Sequence, residues 1–192
     1  MNVGVFGGTF DPPHIGHLIV AEHVRDVLGL EKVIFVPTAI PPHKQERTIT
    51  EAPHRLSMLR LAAAGNSSLE VSSYEVDKGG ISYTVETLLE FSRQMPGNSF
   101  SLLIGMDNVS EFRGWREPEK ILSLATVVVM TRPGFKPRGD TFLGHPRVRV
   151  VEVPAIGVAS TLLRERVRKG KSIRYLVPDG VERYIADNRL YV

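Results

Sequence analysis

Two histidines three residues apart, His14 and His17, follow a turn that reads Gly7-Gly8-Thr9-Phe10-Asp11-Pro12-Pro13 and open an amphipathic stretch. At a helix start, residues three apart project from the same side. Adjacent glycines let the backbone come close to a bound group, and the helix N-terminus offers unpaired N–H groups and the positive end of its dipole. Such a place suits an anion. Two imidazoles beside it can donate hydrogen bonds to a pentacoordinate phosphate as its negative charge grows. A histidine pair alone would read as a capped helix with one core imidazole, but the preceding Gly-Gly-Thr-Phe-Asp turns the reading toward function.

Further segments carry chemistry of their own, each beside a plainer role. In Pro41-Pro42-His43-Lys44 two prolines give Lys44 a stiff approach, although a solvated lysine on a turn fits equally. Ser82-Tyr83-Thr84 precedes a helical stretch, so Thr84 is either a ligand contact or a helix cap. Gly105-Met106-Asp107 closes a strand, where a carboxylate can accept hydrogen bonds from ribose hydroxyls or cap a helix. Trp115, the only tryptophan, lies in Phe112-Arg113-Gly114-Trp115-Arg116, a polar, glycine-interrupted run. Its indole face can hold a cation, or the ring is packing. Val158-Ala159-Ser160-Thr161-Leu162-Leu163-Arg164 opens a helix with Arg164 set against the dipole, a local rule broken where an anion arrives. The basic run Arg164, Arg166, Arg168, Lys169, Lys171 and Arg174 reads as a solvated helix face and not a nucleic-acid surface.

These residues need elements to hold them. Apolar runs predict strands at 3–6, 33–36, 100–104, 125–130 and 148–153, and residues 69–76 are β-prone. A helix is expected from Ile15 to Leu28, with His17, Ala21, Val24 and Leu28 on one face and Gly29 as its cap. Others are expected at 55–64 and 84–93, and from Ser160 onward with breaks at Gly170 and Pro178. The opening strand-helix-strand is a βαβ unit, the mark of a parallel sheet. The fold class is therefore α/β, a Rossmann-like doubly wound parallel sheet with a helical C-terminal part, in a single domain over 1–192. The first motif then sits at the carboxyl end of the first strand, where such sheets bind ligands.

Composition agrees with a soluble globular protein: 42% apolar and 23% charged residues over 192 positions, a length that can bury a core without staples. No run is long and apolar enough to span a membrane, and no export signal is visible, so a cytoplasmic location is expected. The absence of cysteine removes disulfides, thiol nucleophiles and thiolate metal sites together. A net charge of +3 favours anionic ligands without naming one.

The Gly-Thr-Phe-Asp and His14-Ile15-Gly16-His17 strings resemble the nucleotidyltransferase superfamily. The second string also matches the HIGH motif of class I aminoacyl-tRNA synthetases, but the K-M-S-K-S-like loop and the far longer chain of those enzymes are missing. The other segments, spread over nearly the whole chain, resemble bacterial nicotinate-mononucleotide adenylyltransferases. That resemblance implies adenylyl transfer from ATP to nicotinate mononucleotide. It implies catalytic roles for His14, His17, Lys44 and Arg164, and ATP contacts from Gly8, Thr9, Phe10, His17, Gly105, Asp107, Ser160, Thr161 and Arg164. It assigns the mononucleotide to Thr84, Trp115, Lys44 and Arg132. Mg²⁺ is expected to arrive with ATP and not in a protein-built cage; oligomers are possible, and neither nucleic acid nor membrane is an expected partner. Ala159 departs from the superfamily's I-S-S-T-x-I-R pattern, which has a serine there. The alternatives are phosphopantetheine adenylyltransferase, a cytidylyltransferase, or a non-catalytic nucleotide-binding domain.

Overall fold

Long apolar strands with no polar alternation must be covered on both faces, and a parallel sheet between helix layers does this. The computed structural model of the chain describes residues 1–41, 49–131 and 141–192. Six strands, β1 (Asn2–Gly8), β2 (Lys32–Pro37), β3 (Leu69–Val71), β4 (Ser99–Gly105), β5 (Ala125–Thr131) and β6 (Val148–Glu152), form one sheet in the order β3-β2-β1-β4-β5-β6. Every pairing is parallel. Strand order reverses between β1 and β4, which opens a crevice beyond their carboxyl ends.

Helices cover both faces. α1 (Ile15–Leu28) and α2 (Ala52–Ala63) bury Ala21, Val24, Leu59 and Ala63 against one. α4 (Thr84–Gln94) and α5 (Pro118–Leu124) bury Val85, Leu88, Phe91 and Ile121 against the other. α6 (Ser160–Arg168) and α7 (Asp179–Asp187) make a third cluster, in which Leu163, Val181 and Ile185 meet Met58 and Ala62 of α2. The fold class expected from the sequence is the one observed, helical C-terminal part included. Gly29 ends α1 at φ 59°, a left-handed cap.

The β-prone stretch 69–76 departs from its pattern. Only Leu69–Val71 is strand, and a short helix α3 (Tyr74–Lys78) follows. The two serines between them redirect the chain: the Ser72 hydroxyl accepts the Tyr74 N–H at 3.2 Å, and the Ser73 carbonyl accepts the Asp77 N–H at 2.8 Å. Local bonds of this kind compete with a strand ladder. Among the described residues no helix is long and apolar enough to cross a membrane.

Candidate active site

At the carboxyl end of β1 the chain turns and enters α1, whose N-cap is His14. The His14 and His17 rings stack with centroids 3.7 Å apart and planes 23° from parallel. Gly16 makes the stack possible, since a Cβ there would lie 3.0 Å from the His14 ring. The His14 main-chain N–H donates to Nδ1 of His17 at 3.1 Å. With Nδ1 accepting, the proton of a neutral His17 resides on Nε2, which makes that atom a donor. Burial lowers the His14 pKa to about 4, and burial together with the His14 charge lowers His17 to about 3. Both rings are therefore neutral near pH 7 in the ligand-free protein. His14 Nδ1 is buried with no partner among the described residues. The buried Phe10 ring meets His17 edge-on at 5.0 Å, so Phe10 supports the imidazole, and only its main chain is left to touch a nucleotide.

The first motif is braced from beneath by a residue the motif reading missed. Arg55 of α2 is 1% exposed and gives its N–H groups to three carbonyls: Thr50 at 2.7 Å, Thr9 at 2.8 Å and Ala39 at 2.9 Å. Burial lowers its pKa, and the charge of Asp11 opposes that. A sequence signal existed, because Arg55 continues the buried stripe of Leu59 and Ala62 at helical spacing. Replacing Arg55 by Leu strands three buried carbonyls and deprives Asp11 of its nearby positive charge. A loss of about 3–5 kcal/mol is expected, lowering the melting temperature by roughly 10 °C in a chain of this size. Thermal unfolding checks this, and a change of about 2 °C or less would remove Arg55 from the brace.

The C-terminal helices reach the same turn. Ser160 Oγ donates to the Pro12 carbonyl at 2.8 Å, Arg164 Nη1 to the Asp11 carbonyl at 2.6 Å, and the Tyr191 hydroxyl to Asp11 Oδ1 at 2.6 Å. Burial first, and Asp11 second, push the Tyr191 hydroxyl pKa up. Arg164 Nη2 also reaches the hydroxyl of Thr161, an exposed residue, at 3.3 Å. The last motif is thus brought onto the first, through main-chain carbonyls.

On the other side of the turn lies a cavity of about 340 Å³, lined among others by Gly8, Thr9, Glu75, Thr84, Asp107 and Trp115. Thr84 does not cap its helix; Tyr83 is the N-cap and Thr84 the first helical residue. Gly105 ends β4, with Asp107 just beyond in a short 3-10 turn. Trp115 is half-buried and leans on Phe112 with ring centroids 5.3 Å apart. Arg116 lies 4.7 Å over the Tyr83 ring and bonds Glu86 at 2.9 Å, while Lys78 takes the other Glu86 oxygen. The histidine pair and α6 do not line this cavity but adjoin it through the turn. Lys44 and Arg132, named from their motifs, lie outside the described residues. Among those residues no group of three His, Cys, Asp or Glu is arranged to hold a metal.

A parallel sheet with a histidine pair at the helix entrance beside its switch-point crevice defines an α/β nucleotide-binding protein of the nucleotidyltransferase kind. Residues 5–166 match the cytidylyltransferase-like family. A probable nicotinate-nucleotide adenylyltransferase of Geobacillus thermodenitrificans is 42% identical over 189 residues, 98% of this chain and 85% of that one. One from Rubrobacter xylanophilus is 42% identical over 200 residues, 100% and 92% of the two chains. The chain belongs to the cytidylyltransferase-like family and, within it, to the nicotinate-nucleotide adenylyltransferases. In fold it matches the Plasmodium falciparum nicotinic acid mononucleotide adenylyltransferase complexed with NaAD, with a TM-score of 0.81 and 19% identity over 99% of this chain and 97% of that one.

Proposed function

We propose that this protein transfers AMP from ATP to nicotinate mononucleotide, forming nicotinate adenine dinucleotide and releasing pyrophosphate. The observation that carries the reading is the junction of two half-sites. The stacked histidines stand at a helix entrance on one side of the turn, and the cavity with Thr84 and Trp115 opens on the other. An oxygen of the mononucleotide phosphate attacks the α-phosphorus of ATP, and the bond to the β-phosphate oxygen breaks in line. The attacking group is already an anion, so positioning and charge stabilisation do the work without a general base. His17 Nε2–H and the His14 ring meet the transferring phosphate. Its negative charge offsets the burial that lowers their pKa values, so each imidazole gains basicity as the phosphate arrives.

Ser160, Thr161 and Arg164 are assigned to the leaving triphosphate end; Arg164 keeps N–H donors beyond the two engaged in the ligand-free protein. Gly8, Thr9, the Phe10 main chain, Gly105 and Asp107 are assigned to the AMP portion. Thr84 and the Trp115 ring hold the pyridine, whose cationic ring gains from an indole face. Lys44 and Arg132 are assigned by resemblance to the phosphates and the nucleotide pocket. Mg²⁺ enters as part of the ATP substrate. We read the chain as one nucleotidyltransferase unit, a reading supported by the packing of Leu163 and Val181 on α2, and a cytoplasmic location accords with its lack of cysteine.

The test is synthesis by purified protein with ATP and Mg²⁺, offering nicotinate mononucleotide and phosphopantetheine in parallel. Dinucleotide and pyrophosphate in equal amounts are expected from the first. Product only from phosphopantetheine, or from neither, overturns the reading.

A further inference from the structure

Glu75, on α3, is a buried acid that adenylyl transfer does not use. It is 6% exposed, yet it belongs to the wall of the cavity that also holds Thr84 and Trp115. Its Oε1 accepts the Thr87 hydroxyl at 2.5 Å, and Oε2 is buried with no partner among the described residues. Thr87 lies in the first turn of α4, three residues after Thr84. Ser82 ties the same segment to the chain beyond β2, its hydroxyl accepting the Ala39 N–H at 2.9 Å. The carboxyl of Glu75 therefore stands behind the N-terminus of α4, the wall assigned above to the pyridine substituent.

We propose that Glu75 is a positioning and specificity-determining residue for the acid end of the mononucleotide, its carboxyl clamped by Thr87 so as to hold Thr84 in place while adding no negative charge to that wall. This rests on reading the cavity as the nicotinate mononucleotide site. A buried ionised carboxylate held by hydroxyls alone is costly unless a cation is committed to it. The charges around Glu75 are committed elsewhere. Lys78 of its own helix bonds Glu86, Arg55 from α2 serves three carbonyls, Glu86 from α4 repels it, and Lys32, the charged residue of β2, is paired with Glu70. Burial pushes the Glu75 carboxyl up, over the downward pull of the Ser82 and Thr87 hydroxyls and Lys78. The acid is neutral below that raised pKa and becomes an anion above it. Ionisation then opposes the substrate carboxylate.

Two variants and a pH series test this, with nicotinate mononucleotide binding read from the fluorescence of Trp115, the sole tryptophan. Glu75→Ala should raise the KM and Kd for nicotinate mononucleotide about tenfold and leave the KM for ATP within about twofold. Glu75→Gln, neutral and of the same shape, should recover most of that loss. As pH rises through the raised Glu75 pKa, the wild-type KM for the mononucleotide should climb while that of Glu75→Gln stays flatter. Equal changes in both KM values, no change in either, or the same alkaline climb in wild type and Glu75→Gln would each overturn the inference. If Glu75→Ala does not fold, the pH comparison with Glu75→Gln decides alone. The function reading fails separately, and this inference with it, if wild-type protein makes no dinucleotide from nicotinate mononucleotide at any pH.

Discussion

His17→Ala should cut turnover by about two or more orders of magnitude while raising the KM for ATP far less, because the lost donor matters most when the transferring phosphate is most charged. The structure adds why the donor is well aimed. Nδ1 of His17 is held by the His14 N–H at 3.1 Å, the ring is flanked by Phe10 and stacked on His14, and only Nε2 is left for the phosphate. A hundredfold loss corresponds to about 2.7 kcal/mol, the size of one lost oxyanion-type donor. The substitution also removes a cap on α1, at a cost of about 1 kcal/mol, so the melting temperature should fall by only a few degrees. Steady-state kinetics and thermal unfolding on the same preparation separate the two effects. A folded variant with turnover within about fivefold of wild type would take His17 out of the chemistry.

Legibility in the sequence followed distance along the chain. The His14–His17 pair, the glycine between them and the turn before them are neighbours in sequence, so their juxtaposition could be read there. The strands were legible for a similar reason: Leu102, Leu103 and Ile104 of β4 and Val127, Val128 and Val129 of β5 are consecutive apolar residues, which only a sheet covered on both faces accommodates. What escaped joins distant residues. Tyr191 and Asp11 are 180 positions apart and Arg55 and Thr9 are 46 apart, and nothing local marks either pair. Glu75 was hidden differently, since residues 69–76 have strand propensity, and two serines convert the second half into the helix that buries the acid. α5 is short and holds just two buried apolar residues, Ile121 and Leu122, too few for a helical period to show.

The acid should be preferred over the amide by about tenfold to several hundredfold in kcat/KM, because nicotinate mononucleotide brings a carboxylate where nicotinamide mononucleotide brings a neutral group. α4 begins at Thr84, with Tyr83 as its cap; the Tyr83 carbonyl is taken by the N–H groups of Glu86 and Thr87, which leaves those of Thr84 and Val85 as the open donors of the first turn among the described residues. Negative charge in the wall is the counterargument, since Glu75, Asp107 and Glu111 all line the cavity. Glu75 is answered by its burial, and Glu86 close by is offset by Lys78 and Arg116. Thr84→Pro tests the donor directly. Proline is tolerated at a first helical position, Tyr83 already has the extended backbone (φ −116°, ψ 123°) that a following proline requires, and the change deletes one N–H together with the hydroxyl, which Thr84→Ala removes alone as the control. Kinetics with both mononucleotides at fixed ATP should show the acid preference shrinking by about tenfold, the weight of one charge-assisted bond, with the KM for ATP holding steady. Equal use of acid and amide by the wild-type protein would reject this specificity and leave adenylyl transfer standing; an undiminished preference in a folded Thr84→Pro protein would move the discriminating donor away from the start of α4.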